Sequence, residues 1–367
     1  MSLYPPAMGF CALPILLLLS LTAPLAQQRS AAQLTKAGWD ALNSGRIRDA
    51  AVAFDEALKI APQQPPVLLG AGVTAHLQGR AEDARRLLID ALKLDPSMTQ
   101  AALLLGNVLY QSGDIDGAID VYQQALARAP NHPRLTAQLE AWRKEAALHS
   151  GFGRKLGDHF TVLFEGPAEA ALADRAVQIL ESAYWRIGTG LYTYPTDVIT
   201  VVLYTREQFR DITQSPDWAG GAFDGRIRVP VQGALQNRAE FERVLSHEFT
   251  HALIQSLAPR GVPFWLHEGL AVCFEGSDVA RKEQQVKGAR TRLPLAQLER
   301  SFAGLSGADA SLAYAESAVA VRALLDLAGP PAVVNLLDDL GRGASLHDAF
   351  ERNILISYAE FQRKRQD

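Results

Sequence analysis

His247-Glu248-Phe249-Thr250-His251 is the stretch whose residue types and spacing could do chemistry. On a helix, positions i and i+4 lie about 40° apart around the axis, so both imidazoles project from one face and can share a metal ion. Glu248 is turned about 100° from His247, which sets its carboxylate beside such an ion and not on it. There it can take a proton from a zinc-activated water, the general-base arrangement of a metal-dependent hydrolase. A catalytic zinc also needs a third protein ligand and an open position. Seventeen residues past His251 stands Glu268, within Phe264-Trp265-Leu266-His267-Glu268-Gly269-Leu270-Ala271. A loop marked by Pro259, Gly261 and Pro263 can turn a second helix so that this carboxylate completes a His/His/Glu set. Two histidines on an ordinary helix face are the plain alternative reading of the pentapeptide.

The paired motifs H-E-x-x-H and W-x-x-E-G-x-A, the second running from Trp265 to Ala271, resemble those of the gluzincin metallopeptidases. The likeness is to the peptidase-MA-like domains often joined to tetratricopeptide repeats, and it covers about residues 158–364. It implies an α+β zincin-like metallopeptidase domain that hydrolyses peptide bonds by zinc-activated water, with Glu268 as third zinc ligand beside His247 and His251. By the same resemblance Tyr314, in Ala313-Tyr314-Ala315-Glu316-Ser317, donates to the oxyanion. A core tyrosine on a helix is the plain reading of that residue. Gly220-Gly221-Ala222-Phe223-Asp224-Gly225 leads into a strand at 227–231, where gluzincins pair substrate backbone with a sheet edge. Some aminopeptidases carry there a Gly-Ala-Met-Glu-Asn segment whose glutamate binds the substrate amine. Asp224 and Gly225 stand at those two places in this chain, which argues against exopeptidase action. His267 replaces a common Asn and competes with Glu268 as a ligand candidate. Glu275, seven residues past Glu268, either orients a ligand histidine or, on the plainer expectation, is a solvated or capping carboxylate.

Around these motifs the patterning predicts a small sheet followed by helices. Strands are expected at 159–164, 198–204 and 227–231, with a helix at 168–187 between the first two. Pro230 marks the last strand as an edge, because proline cannot donate to a ladder. Helices are expected at 239–257, 266–276, 312–328, 331–340 and 345–364.

Ahead of this domain, Pro62, Pro96 and Pro130 are spaced by 34 residues. Counting back from each gives the columns Gly38/Gly72/Gly106, Gly45/Gly79/Gly113, Ala50/Ala84/Ala118, Phe54/Leu88/Tyr122 and Ala57/Ala91/Ala125. Small residues recur where two helices cross closely, a large apolar one fills the gap beside them, and the middle glycines fall where the chain reverses. This resembles three tetratricopeptide repeats over residues 31–148, closed by a capping helix with Leu135, Leu139 and Trp142. The overall expectation is thus an all-α tetratricopeptide solenoid followed by the α+β domain. Such an array offers a concave groove for a protein partner or substrate, or serves as a packing platform, and is expected to fold without the rest.

Residues 1–26 contain no Lys, Arg, Asp or Glu, and the apolar run Phe10 to Leu21 is shorter than the about 20 residues of a bilayer span. They read as a signal peptide of a periplasmic or secreted protein, with an uncleaved membrane anchor as the alternative. No membrane span is expected after it. Cys11 and Cys273 are too few for a disulfide framework or a cysteine metal site. A hydrophobic share of 48% fits a globular chain, and a net charge of −4 excludes the basic footprint of a nucleic-acid binder. Two functions follow: an exported zinc metallopeptidase, or a non-catalytic cell-envelope scaffold whose metal site is vestigial or structural.

Overall fold

The computed structural model describes residues 29–214, 220–231 and 237–365. The expected signal segment 1–26, Cys11 included, lies outside the described residues. Seven helices come first: α1 (Ala31–Asn43), α2 (Ile47–Ile60), α3 (Pro65–Leu77), α4 (Ala81–Leu94), α5 (Thr99–Gln111), α6 (Ile115–Arg128) and α7 (Pro133–His149). The first six pack as three consecutive helix pairs, α1 with α2, α3 with α4 and α5 with α6. α1 starts cleanly because Ser30 and Gln33 cap each other's backbone amides.

The columns explain the pairing. A Cβ on Gly38 would stand 2.6 Å from the Phe54 ring, and one on Gly106 only 2.2 Å from the Tyr122 ring. Each small residue therefore admits the large apolar side chain of the next helix. Gly45, Gly79 and Gly113 reverse the chain at φ +71°, +74° and +92°, where a side chain would be strained. α7 closes the stack with Leu135, Leu139 and Trp142 buried, the indole stacked 5.0 Å from the Tyr110 ring.

The rest is α+β. β1 (Phe152–Leu156), β2 (Phe160–Glu165), β3 (Ile199–Tyr204), β4 (Ala222–Phe223) and β5 (Ile227–Pro230) make one mixed sheet in the order β1-β2-β3-β5-β4. β2-β3 and β3-β5 run parallel, while both outer pairs are antiparallel. α8 (Ala170–Leu191) and α10 (Arg238–Leu257) cover one face, and α9 (Arg206–Thr213) lies on the other. α11 (Phe264–Phe274), α12 (Val279–Gly288), α13 (Gly307–Gly341), α14 (Leu346–Ile354) and α15 (Tyr358–Lys364) follow. Alternation along β3 sends Val201 and Leu203 into the main core and Val202 and Tyr204 to the opposite face.

Several elements differ from expectation. β5 is not the edge: β4 pairs with Ile227 and Arg228. That pairing stops short of Pro230, so the missing amide faces no ladder on the β4 side. β1, α9 and α12 were not legible as elements. The expected helix 345–364 is two, because Leu355 adopts a left-handed conformation and Ser357 caps a new start. The expected helices 312–328 and 331–340 are both present: Gly329, at φ +78° and ψ +164°, with Pro330 and Pro331 after it, breaks α13 into two. By length and composition α13 could cross a membrane. Its residues Ala313, Ala320, Val321 and Leu324 lie in the domain core, and buried Glu316 binds Arg292 (2.5 Å) and Arg365 (2.8 Å).

Every repeat turn also meets the second domain, a contact that periodicity within the repeats could not reveal. Arg48 of the first pair approaches Asp339 at 3.5 Å. Gly79 of the second lies against Pro259, and Arg260 donates to the Leu77 carbonyl at 3.2 Å. In the third, Gly113 faces Thr200, and Gly225 passes Gln111 so closely that a Cβ there would lie 3.3 Å from its Cα. Beside this last contact Glu145 of α7 accepts from Arg226 (3.1 Å), Arg228 (2.9 Å) and Tyr110 (2.5 Å). All three charged side chains are 3% exposed or less.

Glu145→Ala would leave two guanidiniums buried without their shared partner and should cost about 3–5 kcal/mol in denaturant unfolding of the whole chain. Burial opposes ionisation of Glu145, but Arg228, the Tyr110 hydroxyl and Arg226 hold its pKa below the usual value. A lowered folded pKa adds stability that is complete above the unfolded carboxylate value, about 4.3, and is lost as pH falls through the folded one. The cost of the substitution should accordingly shrink in acid.

Candidate metal centre

α10 is buried on nearly all sides from Val244 to Ile254, so its polar residues in that stretch are held in place by packing. His247, Glu248 and His251 lie within it. α11 brings Glu268 alongside because Gly269 lets it approach α13: a Cβ there would lie 2.4 Å from the Ser317 carbonyl oxygen. The result joins the expected residues. One donor atom each from His247, His251 and Glu268 fall within 4.8 Å of one another.

The finer distances fit a shared cation better than hydrogen bonds. Glu268 Oε2 lies 3.5 Å from His247 Nε2 and 3.6 Å from His251 Nε2. Tetrahedral ligands at zinc bond lengths stand about 3.4 Å apart. Glu268 Oε2 and Glu248 Oε2 are buried with no hydrogen-bond donor among the described residues. A carboxylate oxygen left so is costly unless a cation meets it. The donor set of two imidazoles and a carboxylate therefore fits zinc.

Electrostatics separates the two glutamates. Burial opposes ionisation of Glu268, yet His251 and His247 hold its carboxyl far below the usual range. Burial pushes Glu248 up, and the same histidines oppose that only in part. His247 loses by burial but gains more from Glu268 and Glu275, and rises to about 10.

Glu275 is no solvated carboxylate. It is 5% exposed and bonds His247 Nδ1 at 2.7 Å, Arg243 at 2.7 Å and the Ser277 hydroxyl. It thereby fixes the ring so that Nε2 faces the other donors. Arg243 was missed by sequence reasoning, although it stands one helical turn before His247 and a periodic reading could have found it. His267 is not among the three grouped donors. Its ring stacks on His251 at 4.4 Å, and burial, then the His251 charge, lower its pKa to about 3.

Asp224 also points elsewhere. Its carboxylate holds Arg228 at 3.1 Å on the repeat side of the sheet, so it cannot meet a substrate amine at the metal donors. Gly221 does reach them: a Cβ on it would lie 2.6 Å from Glu248 Oε1. A cleft of about 250 Å³ opens there, lined by Gly221, Val244, His247, Glu248, Lys282 and Tyr314. The Tyr314 ring packs edge-on against Phe302. Burial and the charges of Glu268, Glu248 and Glu275 raise its pKa, so the hydroxyl keeps its proton.

Comparison with known proteins agrees with both halves. The Peptidase MA superfamily profile matches residues 188–359. That half is a Peptidase MA superfamily domain. Two tetratricopeptide repeat profiles match residues 41–93 and 78–133, ahead of the peptidase-MA domain. No curated protein matches the chain. Solved structures similar to it include the first tetratricopeptide domain of Spaghetti (RPAP3), bound to an HSP90 peptide. That likeness has 18% identity, a TM-score of 0.31 and coverage of 33% of this chain and 98% of that one. A mutant O-GlcNAc transferase of Thermobaculum terrenum shows 18% identity and a TM-score of 0.30, covering 47% of this chain and 36% of that one.

Glu275→Gln keeps the shape and removes the anion behind His247. Affinity for a divalent ion at the three donors should fall about 10–100-fold, read by competition with a chelator.

Proposed function

We propose that the chain is an exported zinc-dependent peptidase whose repeats form a docking platform beside the catalytic domain. One observation carries this reading: a His/His/Glu donor set with an unbonded buried carboxylate, Glu248, at its side and an opening onto a cleft. A purely structural metal would have no use for that carboxylate.

Zinc, when held by His247, His251 and Glu268, supplies Lewis-acid polarisation and lowers the pKa of water. Glu248 takes the proton of the attacking water on its carboxylate and returns it to the departing amine. Its raised pKa suits both halves of that cycle. Tyr314, protonated and on the cleft wall, donates its hydroxyl hydrogen to the oxyanion. Gly221 leaves room for a substrate backbone to lie over Glu248. Glu275 and Arg243 hold His247 still meanwhile.

Three variants read together test the assignment. Glu248→Gln should bind one zinc per chain as the parent does and lose peptide hydrolysis by about 10²–10⁴-fold. His251→Ala and Glu268→Gln should lose zinc as well, since an absent imidazole or a neutral amide is a weak ligand. Equal turnover by Glu248→Gln and the parent would refute the mechanism. A parent that binds no zinc and cleaves nothing, yet captures partners through its repeats, would be the cell-envelope scaffold instead. Export rests on the uncharged apolar segment 1–26. Cell fractionation checks it, and full-length chain soluble in the cytosol would count against it.

A further inference from the structure

The cleft beside His247 and Glu248 is lined by two cations, Arg243 and Lys282, and the protein uses only one of them. Arg243 is bonded to Glu240 at 2.6 Å and to Glu275 at 2.7 Å. Lys282, on α12, has no ion-pair partner among the described residues. The two other carboxylates on the cleft wall do not serve it. Glu275 is taken by Arg243, His247 and Ser277, and Glu248 lies at the metal donors under Gly221.

Along α12 and the loop after it positive charges outnumber negative ones, with Asp278 and Glu283 opposing them. From 281 to 292 the chain carries Arg281, Lys282, Lys287, Arg290 and Arg292 against the single acid Glu283. Of these five, Arg292 is neutralised by Glu316. Lys282 is half-buried on the cleft wall, with Val244 and Val272 lining the same space, so its charge is available to a substrate lying there. The cleft has a volume of about 250 Å³. An extended peptide advances about 3.3 Å per residue, so Lys282 reaches only residues at or next to the bond held over Glu248.

We propose that Lys282 sets the substrate preference of this cleft by pairing with a carboxylate of the peptide, within about one residue of the bond cut. The inference rests on the peptidase reading above and adds the substrate class: peptides bearing an anion at that place. Two sources offer the same chemistry, an Asp or Glu side chain and a free C-terminal carboxylate. The Gly221 side of the cleft, and not Lys282, receives the neutral backbone.

The test measures binding as well as turnover, on zinc-loaded full-length protein. Matched peptide sets carry Glu, Gln or Lys beside the cleavable bond with amidated C-termini, and a fourth set is neutral with a free C-terminus. Binding is read with labelled peptides on Glu248→Gln, and turnover on the parent. The parent should favour the Glu set or the free-carboxylate set over Gln by about 10–100-fold, the ratio expected for a charged hydrogen bond; whichever set wins identifies the source. Lys282→Ala should abolish the ratio, and Lys282→Glu should invert it toward the Lys set. Lys287→Ala, on the exposed side of the same helix, should leave it intact. Because each ratio is taken within one variant, partial loss of folded protein cancels. Turnover without charge preference, or a preference that survives Lys282→Glu, overturns this inference and leaves the peptidase reading standing. Charge-selective, Lys282-dependent binding with no cleavage of any peptide does the reverse. Neither binding nor cleavage removes both.

Discussion

One carboxylate, Glu145 on the capping helix, is shared by two guanidiniums, Arg226 just before β5 and Arg228 within it. With Asp224 bound to Arg228, two anions and two cations close into a neutral cluster, buried except at Asp224, whose side chain is 47% exposed. Such a cluster adds little stability over an apolar contact of the same size, since burial of the charges offsets most of their attraction. Its effect is on geometry. An apolar face tolerates sliding, whereas these four groups and the Tyr110 and Tyr204 hydroxyls meet in one register only. That register places β5, hence β4, hence the backbone of Gly221 against Glu248. The repeat array and the metal donors are therefore two ends of one mechanical chain.

The candidate metal centre follows a second logic. Glu248 and Glu268 have the same side chain and nearly equal burial, yet their pKa values are pushed in opposite directions. Glu268 faces both histidines and is held as an anion, the form a metal ligand needs. Glu248 sits one step aside on its helix, and burial dominates, which favours its protonated form. Neighbouring positions on one helix and a close helix crossing at Gly269 are enough to divide the labour.

What was legible in the sequence was local or periodic. His247, Glu248 and His251 announce themselves through helix spacing, and Phe54, Leu88 and Tyr122 through a 34-residue column. Glu268 needed only a motif partner. The illegible residues depend on what lies across an interface. Arg226-Ile227-Arg228-Val229 alternates as a strand with one wet face would, yet Arg228 is fully buried because Glu145, 83 residues away, covers it. Glu275 reads as surface until Arg243 and His247 close on it. Pro230 signals an edge correctly for its own position, but two residues of β4 cover the other half of the strand.

A free solenoid can grow or shrink by whole units, since each unit touches only its neighbours. This array has lost that freedom. Its three turns rest at three separate places, beside Asp339, Pro259 and Thr200, each on a different part of the domain beneath. An extra 34 residues between the second and third pairs would carry one turn off its seat and drag Glu145 away from the arginines. Repeats added inside the array would unseat these contacts, so the copy number from Ser30 onward is a dimension of the second domain itself.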